Sequence, residues 1–131
     1  MPLVLRDREE VRERYQEAVV HGRSLGWTVN DARSRGQFEY LAEYEAARYD
    51  GVASAMKWVL GAAPVSPCTD QLILVPTAAQ VEAEAQAAEV ELQALIARYG
   101  EPFDLTQTTR PAVVHGVASS LRWVIVPDSP R

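Results

Sequence analysis

Cysteine and histidine are scarce in this chain, and each shortage excludes a kind of site. Cys68 is the only cysteine, so no disulfide can form within the chain, which is typical of proteins in a reducing compartment. His21 and His115 are the only histidines, and with Cys68 they cannot make a standard zinc set. We therefore predict a cytoplasmic protein without a zinc site.

Long apolar runs are missing as well. No stretch approaches the roughly 18 consecutive apolar residues that a membrane-spanning helix needs. The first seven residues lack a basic segment followed by an apolar one, so we expect neither a signal peptide nor a membrane contact.

Motifs for nucleotide binding and catalysis give no lead either. The glycines of segment 22–26 have neither the spacing nor the following lysine of a phosphate-binding loop. No predicted strand-to-helix turn positions a nucleophile. From the sequence we assign no catalytic residues, no metal ligands and no cofactor.

The composition is that of a globular domain. The 131 residues are 47% hydrophobic and 24% charged, which fits a single helical domain over 1–131. The net charge of −5 is uneven, since residues 1–35 sum to +1 and the remaining residues sum to −6. An acidic body makes broad binding to nucleic acid unfavourable, because such binding depends on basic side chains that neutralise phosphates.

An internal repeat is the most informative feature of the sequence. Residues 51–60 read Gly-Val-Ala-Ser-Ala-Met-Lys-Trp-Val-Leu, and residues 116–125 read Gly-Val-Ala-Ser-Ser-Leu-Arg-Trp-Val-Ile, at an offset of 65. Six of the ten positions are identical, and the other four are conservative. A divergent duplication explains this repeat, and convergence on one helix-packing motif is the alternative.

The first half of the chain carries the signals of two helices. Asp7 is a good N-cap residue, and the apolar residues after it recur every three or four positions, which predicts a helix over 8–22. A second capping signal at Ser34 predicts a helix over 36–60, in which Gly51 can cause a kink or a break.

The second half repeats this arrangement after a linker over 62–76. Thr77 begins a capping box before a third helix, and Pro111 marks the first turn of a fourth. We thus predict an all-α fold, a four-helix bundle of two tandem helical hairpins with pseudo-repeat halves 1–61 and 77–126.

The third predicted helix has the clearest apolar pattern. Its apolar positions step alternately by four and three residues, as in a coiled-coil seam: Val81, Ala85, Ala88, Leu92, Leu95 and Tyr99. The glutamates beside this seam are expected to face water: Glu82, Glu84, Glu89 and Glu91. Such a seam suits either a helix of the same chain or the same helix of a second chain, so a homodimer is one prediction.

The repeated Gly-Val-Ala-Ser-x-x-basic-Trp motif has two interpretations. Small side chains precede each tryptophan and let another helix approach closely, so the motif can be a helix-packing element. Alternatively, the tryptophans stay partly exposed as interface anchors, since Trp and Tyr dominate binding hot spots. The candidate partner-binding residues are then Tyr40, Tyr44, Trp58 and Trp123.

The leading functional prediction is a small non-enzymatic interaction or regulatory protein that binds another protein or its own copy. One alternative is a DNA-associated regulator that uses arginines of the N-terminal region: Arg6, Arg12, Arg14 and Arg23. The other is a metal-dependent nucleotide hydrolase, because Glu39, Glu43 and Asp50 resemble the carboxylates along the helices of small all-α nucleotide pyrophosphohydrolases. That family pairs a Glu-x-x-Glu with a Glu-x-x-Asp, and these three positions follow neither pattern.

Overall fold

The computed structural model describes residues 2–128, and within them the chain is mostly α-helical, as predicted. Four α-helices follow one another in this range: Arg8–Ser34 (α1), Tyr40–Val59 (α2), Ala78–Tyr99 (α3) and Arg110–Val124 (α4). Two short strands lie near its ends, Leu3–Leu5 (β1) and Ile125–Pro127 (β2). None of the helices described here has the length and apolar character needed to cross a membrane.

The helices pack in the spatial order α1, α2, α4, α3. Helix α1 lies against α2, α2 lies against α4, and α4 lies against α3. The strands pair antiparallel, with Leu3 opposite Pro127 and Leu5 opposite Ile125, which connects the N-terminal segment to the end of α4. Neither strand was predicted, because three residues are too few to show an alternating pattern.

Two glycines bring the backbones of α2 and α4 into contact. A Cβ atom on Gly51 would lie 2.0 Å from the carbonyl oxygen of Val113, and a Cβ atom on Gly116 would lie 2.0 Å from that of Arg48. Any side chain at either position would therefore force the two helices apart. Gly51 serves as a contact point within a continuous α2, so the break considered from the sequence does not occur.

The hydrophobic core surrounds this crossing and draws on all four helices. Its largest fully buried apolar side chains are Val11, Met56, Trp58, Val81, Val114, Val117, Leu121 and Val124. Because apolar burial contributes about 25 cal/mol per Å², these side chains are the main favourable term in folding.

Helix α1 is longer than predicted. It begins after the expected Asp7 cap, whose side chain accepts a backbone hydrogen bond, but it continues through Gly22 and Gly26 for 27 residues in all. The predicted end near residue 22 is therefore wrong. Two helical glycines cost about 1 kcal/mol each, and tertiary packing of the added turns, which bury Val29 and Ala32, offsets that cost.

The start of α2 also differs from the prediction. Ser34 is the last residue of α1, so it does not cap the second helix, which begins at Tyr40 instead of residue 36. Glu39 occupies the N-cap position of α2 without a side-chain hydrogen bond to the backbone. The predicted C-terminal end is confirmed, because Gly61 follows α2 in the left-handed conformation that glycine favours.

The predicted linker over 62–76 contains a short paired segment. Val65 and Leu72 form an isolated antiparallel bridge, so part of the linker pairs with itself. The capping box predicted at Thr77 is confirmed, with reciprocal hydrogen bonds between Thr77 and Gln80 at the start of α3.

A buried carboxylate of α3 holds this linker. Glu84 accepts hydrogen bonds from the backbone N–H groups of Cys68 (2.6 Å) and Thr69 (3.0 Å), and from the Thr69 hydroxyl (2.6 Å). The expectation that Glu84 faces water is therefore wrong, since it is buried against the loop. Two backbone donors of the loop take the place of its hydration.

Replacing Glu84 with alanine is expected to destabilise the fold. Glu84→Ala leaves two loop N–H groups without their acceptor, and we expect the free energy of unfolding to fall by about 2–4 kcal/mol. Urea denaturation followed by circular dichroism measures this loss. Glu82→Ala on the same helix is the matched control, with an expected change within about 0.5 kcal/mol. Equal stabilities of the two variants would contradict the capping role of Glu84.

Candidate protein-interaction site

An open groove lies where the first turns of α2 meet the loop between α3 and α4. Its volume is about 630 Å³, and its lining residues define what we call the aromatic groove: Tyr40, Leu41, Tyr44, Glu45, Glu101, Pro102 and Phe103. Tyr40 and Tyr44 lie one helical turn apart, and their rings stack with centroids separated by 6.2 Å. Leu41 is 77% exposed, so the groove presents apolar surface that the chain itself leaves uncovered.

Helix α4 holds Tyr44 in place. The Tyr44 hydroxyl lies 2.7 Å from Nδ1 of His115, and the two groups share a hydrogen bond. Burial, reinforced by the nearby Tyr40 and Glu45, raises the pKa of Tyr44, so its phenol stays protonated at neutral pH. A fixed, neutral tyrosine presents an apolar ring with a polar edge, which is the combination that protein interfaces favour.

Two carboxylates border the aromatic groove. Glu45 is 2.6 Å from the guanidinium of Arg48, and this hydrogen-bonded pair holds the pKa of Glu45 below its usual range. Glu101 is exposed at the loop side of the groove. The groove therefore combines apolar rings with a negative edge that Arg48 neutralises in part.

Trp58 does not belong to this surface. It has 0% exposure, and its indole N–H donates to the carbonyl oxygen of Ile73 at 3.2 Å. A side chain without exposed surface has nothing to offer a partner, so Trp58 is a core residue and leaves the set of candidate contact residues.

Trp123 lies in a different environment from its counterpart in the repeat. It is half-buried, and the guanidinium groups of Arg6 and Arg14 lie 4.7 Å and 4.6 Å from its ring centroid. Trp123 does not line the aromatic groove. Of the four candidate residues, the structure brings only Tyr40 and Tyr44 together.

The coiled-coil-like seam of α3 is used within the chain. Val81, Ala85 and Ala88 have no exposed surface, and Leu92 and Leu95 pack against the same core. A dimer through the buried part of the seam would require the core to open, whereas Leu92, Leu95 and Tyr99 are only half-buried. Self-association stays a prediction.

The arginines proposed for DNA binding do not form one free surface. Arg6 donates to the carbonyl oxygen of Trp123, and both Arg6 and Arg14 lie over the Trp123 ring. Arg12 pairs with a glutamate one turn away at 3.0 Å, and Arg23 is exposed. The geometry gives the DNA alternative no specific support, because that function needs several uncommitted arginines on one face.

The carboxylates proposed for a metal site are also separated by their contacts. Glu43 forms a bidentate pair with Arg33 at 2.7 Å and 2.8 Å, whereas Glu39 and Asp50 are exposed. Among residues 2–128, no three His, Cys, Asp or Glu side chains gather in a way that could hold a metal ion. The resemblance to nucleotide pyrophosphohydrolases thus has no counterpart in the described geometry.

Neither the Cys68 thiol nor the serine of segment 22–26 lies in a setting that would make it a reactive nucleophile. Burial raises the pKa of the Cys68 thiol to about 11, so the reactive thiolate is scarce at neutral pH. The segment 22–26 reads Gly-Arg-Ser-Leu-Gly, the letters of a nucleophile elbow, but it lies inside α1 and not on a strand-to-helix turn.

The sequence indicates the tyrosines of α2 that line the aromatic groove but gives no signal for the loop residues that line its other side. The apolar periodicity of α2 includes Leu41 and therefore suggests burial, yet Leu41 points away from the core. Phe103 lies in a loop without periodicity, so no local signal indicates that it lines a groove with Tyr40 and Tyr44.

Comparisons with known proteins leave the groove as the main guide to function. A scan against protein-family models, a search of curated proteins and a search of solved structures each find no match to this chain.

Proposed function

We propose that this chain is a small non-enzymatic α-helical protein that binds another protein, in an interaction or regulatory role, through the aromatic groove. The observation that carries the proposal is the combination of a stacked tyrosine pair with an exposed Leu41 in one open groove. Aromatic side chains provide much contact area at low conformational cost, which makes them frequent anchors of binding energy.

The occupant that fits this groove best is a segment of another protein with apolar side chains and at least one Lys or Arg. Tyr40, Leu41 and Tyr44 supply apolar contacts over the buried Phe103, while Glu45 and Glu101 supply negative charge at the edge. Complementary charge favours a basic partner and suppresses acidic ones.

A second copy of this chain is the other occupant to consider. Such a homodimer would use the aromatic groove, another exposed surface or the half-buried C-terminal part of the α3 seam, because Val81, Ala85 and Ala88 are buried in the chain's own core. Light scattering of the full chain at several concentrations separates a self-associating protein from a monomer that binds a different partner.

We further propose that the fold is a four-helix bundle of two tandem hairpins related by duplication. The contacts at the α2–α4 crossing support this idea, because Gly51 faces Val113 as Gly116 faces Arg48, and both pairs of equivalent residues are 65 apart. Ala55 and its counterpart Ser120 are both fully buried, which is consistent with equivalent positions on the two helices.

The interaction proposal is tested with a variant of the groove and a matched surface control. Peptides are selected from a display library against the wild-type chain, and their affinities are then measured for Leu41→Ser and for Val90→Ser. Both leucine and valine are largely exposed, at 77% and 70%, so both variants should fold normally. We expect Leu41→Ser to weaken binding about tenfold, since it removes apolar contact area, and Val90→Ser to leave binding unchanged.

The selected peptides also test the proposed charge preference. We expect them to combine apolar residues with Lys or Arg, and we expect Glu101→Gln to weaken their binding. Equal affinities for the wild type and Leu41→Ser would remove the aromatic groove as the partner surface.

A further inference from the structure

A second, smaller cleft lies between α1 and α2. Its volume is about 250 Å³, and its lining residues define what we call the arginine cleft: Arg14, Glu17, Ala18, His21, Arg48, Tyr49 and Val52. The two sites share no lining residue, although Arg48 of the cleft pairs with Glu45 of the aromatic groove. The rings of His21 and Tyr49 stack at 5.5 Å and form part of its wall.

Arg14 lines this cleft, and one of its nitrogen atoms has no hydrogen-bond partner. Its Nε atom is buried and makes no hydrogen bond within residues 2–128. Burial, followed by the positive charge of Arg48, lowers the pKa of Arg14. The Arg14 side chain is half-buried, and its guanidinium carbon lies 4.6 Å from the centroid of the Trp123 ring, so Nε lacks the acceptor that a buried donor normally has.

Arg48 brings a second positive charge to the cleft from the other helix. It binds Glu45 through Nε and Nη2, and its guanidinium carbon lies 4.6 Å from the centroid of the Tyr49 ring, which also lines the cleft. Glu17 is the negative group of the cleft lining, and it is exposed. Two guanidinium groups thus face a space that is large enough for a small ion and several waters.

We propose that the arginine cleft binds a phosphate group, with Arg14 and Arg48 as its charged ligands. Planar guanidinium groups form strong, bidentate hydrogen bonds with phosphate oxygens. The negative charge of a bound phosphate offsets the repulsion between the two arginines. Glu17 opposes binding, because its carboxylate has the same sign as the ligand.

Inorganic phosphate is the probe for this site. The full chain is titrated with sodium phosphate at constant ionic strength, with chloride as the compensating anion, and amide chemical shifts are followed by NMR. We expect saturable shifts concentrated in residues 14–21 of α1 and 48–52 of α2. Shifts spread over unrelated helix ends, or changes that do not saturate, would overturn the proposal without relying on any variant.

Three variants then assign the charges. Arg14→Gln is expected to weaken phosphate binding about tenfold or more, as the loss of charge-assisted hydrogen bonds implies. Glu17→Gln is expected to tighten binding, because it removes a repelling carboxylate. Arg12→Gln is the matched control, since Arg12 lies on the same helix, is exposed and pairs with Glu9, and it should bind phosphate as the wild type does.

Opposite effects at two positions distinguish a binding site from a structural role. General damage to the fold would weaken binding in Arg14→Gln and Glu17→Gln alike, whereas the proposed site requires changes of opposite sign. Wild-type affinity in Arg14→Gln, confirmed to be folded by circular dichroism, would refute the assignment. Failure of this test leaves the aromatic groove untouched, because neither variant changes a groove residue.

Discussion

Gly51→Ala and Gly116→Ala are each expected to lower the free energy of unfolding by about 3 kcal/mol or more, with a fall in Tm of about 10 °C or more. The added methyl group would lie 2.0 Å from a backbone carbonyl oxygen of the facing helix. No rotamer change can relieve such a contact, because the position of an alanine Cβ is fixed by its own backbone and the facing oxygen is a backbone atom. Thermal denaturation followed by circular dichroism measures the loss.

Gly26→Ala is the matched control for these two variants. Gly26 also lies inside a helix, but a Cβ atom there would meet nothing within 4 Å. We expect stabilisation by about 1 kcal/mol, since alanine is the better helix former.

The double variant Gly51→Ala/Gly116→Ala tests whether the two glycines act at one crossing. Separating α2 from α4 once relieves both contacts, so the combined loss is expected to be smaller than the sum of the single losses. A Gly116→Ala variant that melts with the wild type would contradict the described backbone contact.

Trp58→Ala is expected to destabilise the fold by about 3–5 kcal/mol, the range observed when a large aromatic side chain is removed from a core. Trp58 is fully buried, and its loss also leaves the carbonyl oxygen of Ile73 without a donor. Urea denaturation gives the free energy, and light scattering on the same samples reports whether the mass changes.

Trp27→Ala is the comparison that separates burial from residue type. Trp27 is 75% exposed on α1, so its removal should change stability by no more than about 0.5 kcal/mol. If Trp58→Ala were as stable as Trp27→Ala, or if its only effect were dissociation of a dimer, then core packing would not be the role of Trp58.

The helices that the sequence predicted best are those whose ends carry local signals. Thr77 forms the expected capping box, Asp7 caps α1, and Gly61 follows α2 in a left-handed conformation. These features depend on hydrogen bonds and backbone angles within a few residues, so they are visible in a short window of sequence. The predicted end of α1 was wrong because the last turns of this helix are stabilised by residues distant in the sequence.

The candidate groove was predicted only in part, because only one of its sides depends on the local spacing of residues. The spacing of Tyr40 and Tyr44 places both rings on one face of a helix, which is a local property. The exposure of Leu41 and the arrival of Phe103 depend on how a loop from the other half of the chain folds over α2. No periodicity in either segment contains that information.

The sequence by itself determined the helical class, most helix starts and the small residues at positions 51 and 116, because these follow from local propensity and spacing. The tertiary structure decided which of the remaining side chains are buried and which groups they contact. Glu84 meets a loop 15 residues away, Trp58 becomes core while Trp123 lies under two arginines, and Arg14 and Arg48 meet across a cleft. Long-range contacts of this kind arise only when segments distant in the chain pack together, and both proposed binding surfaces depend on them.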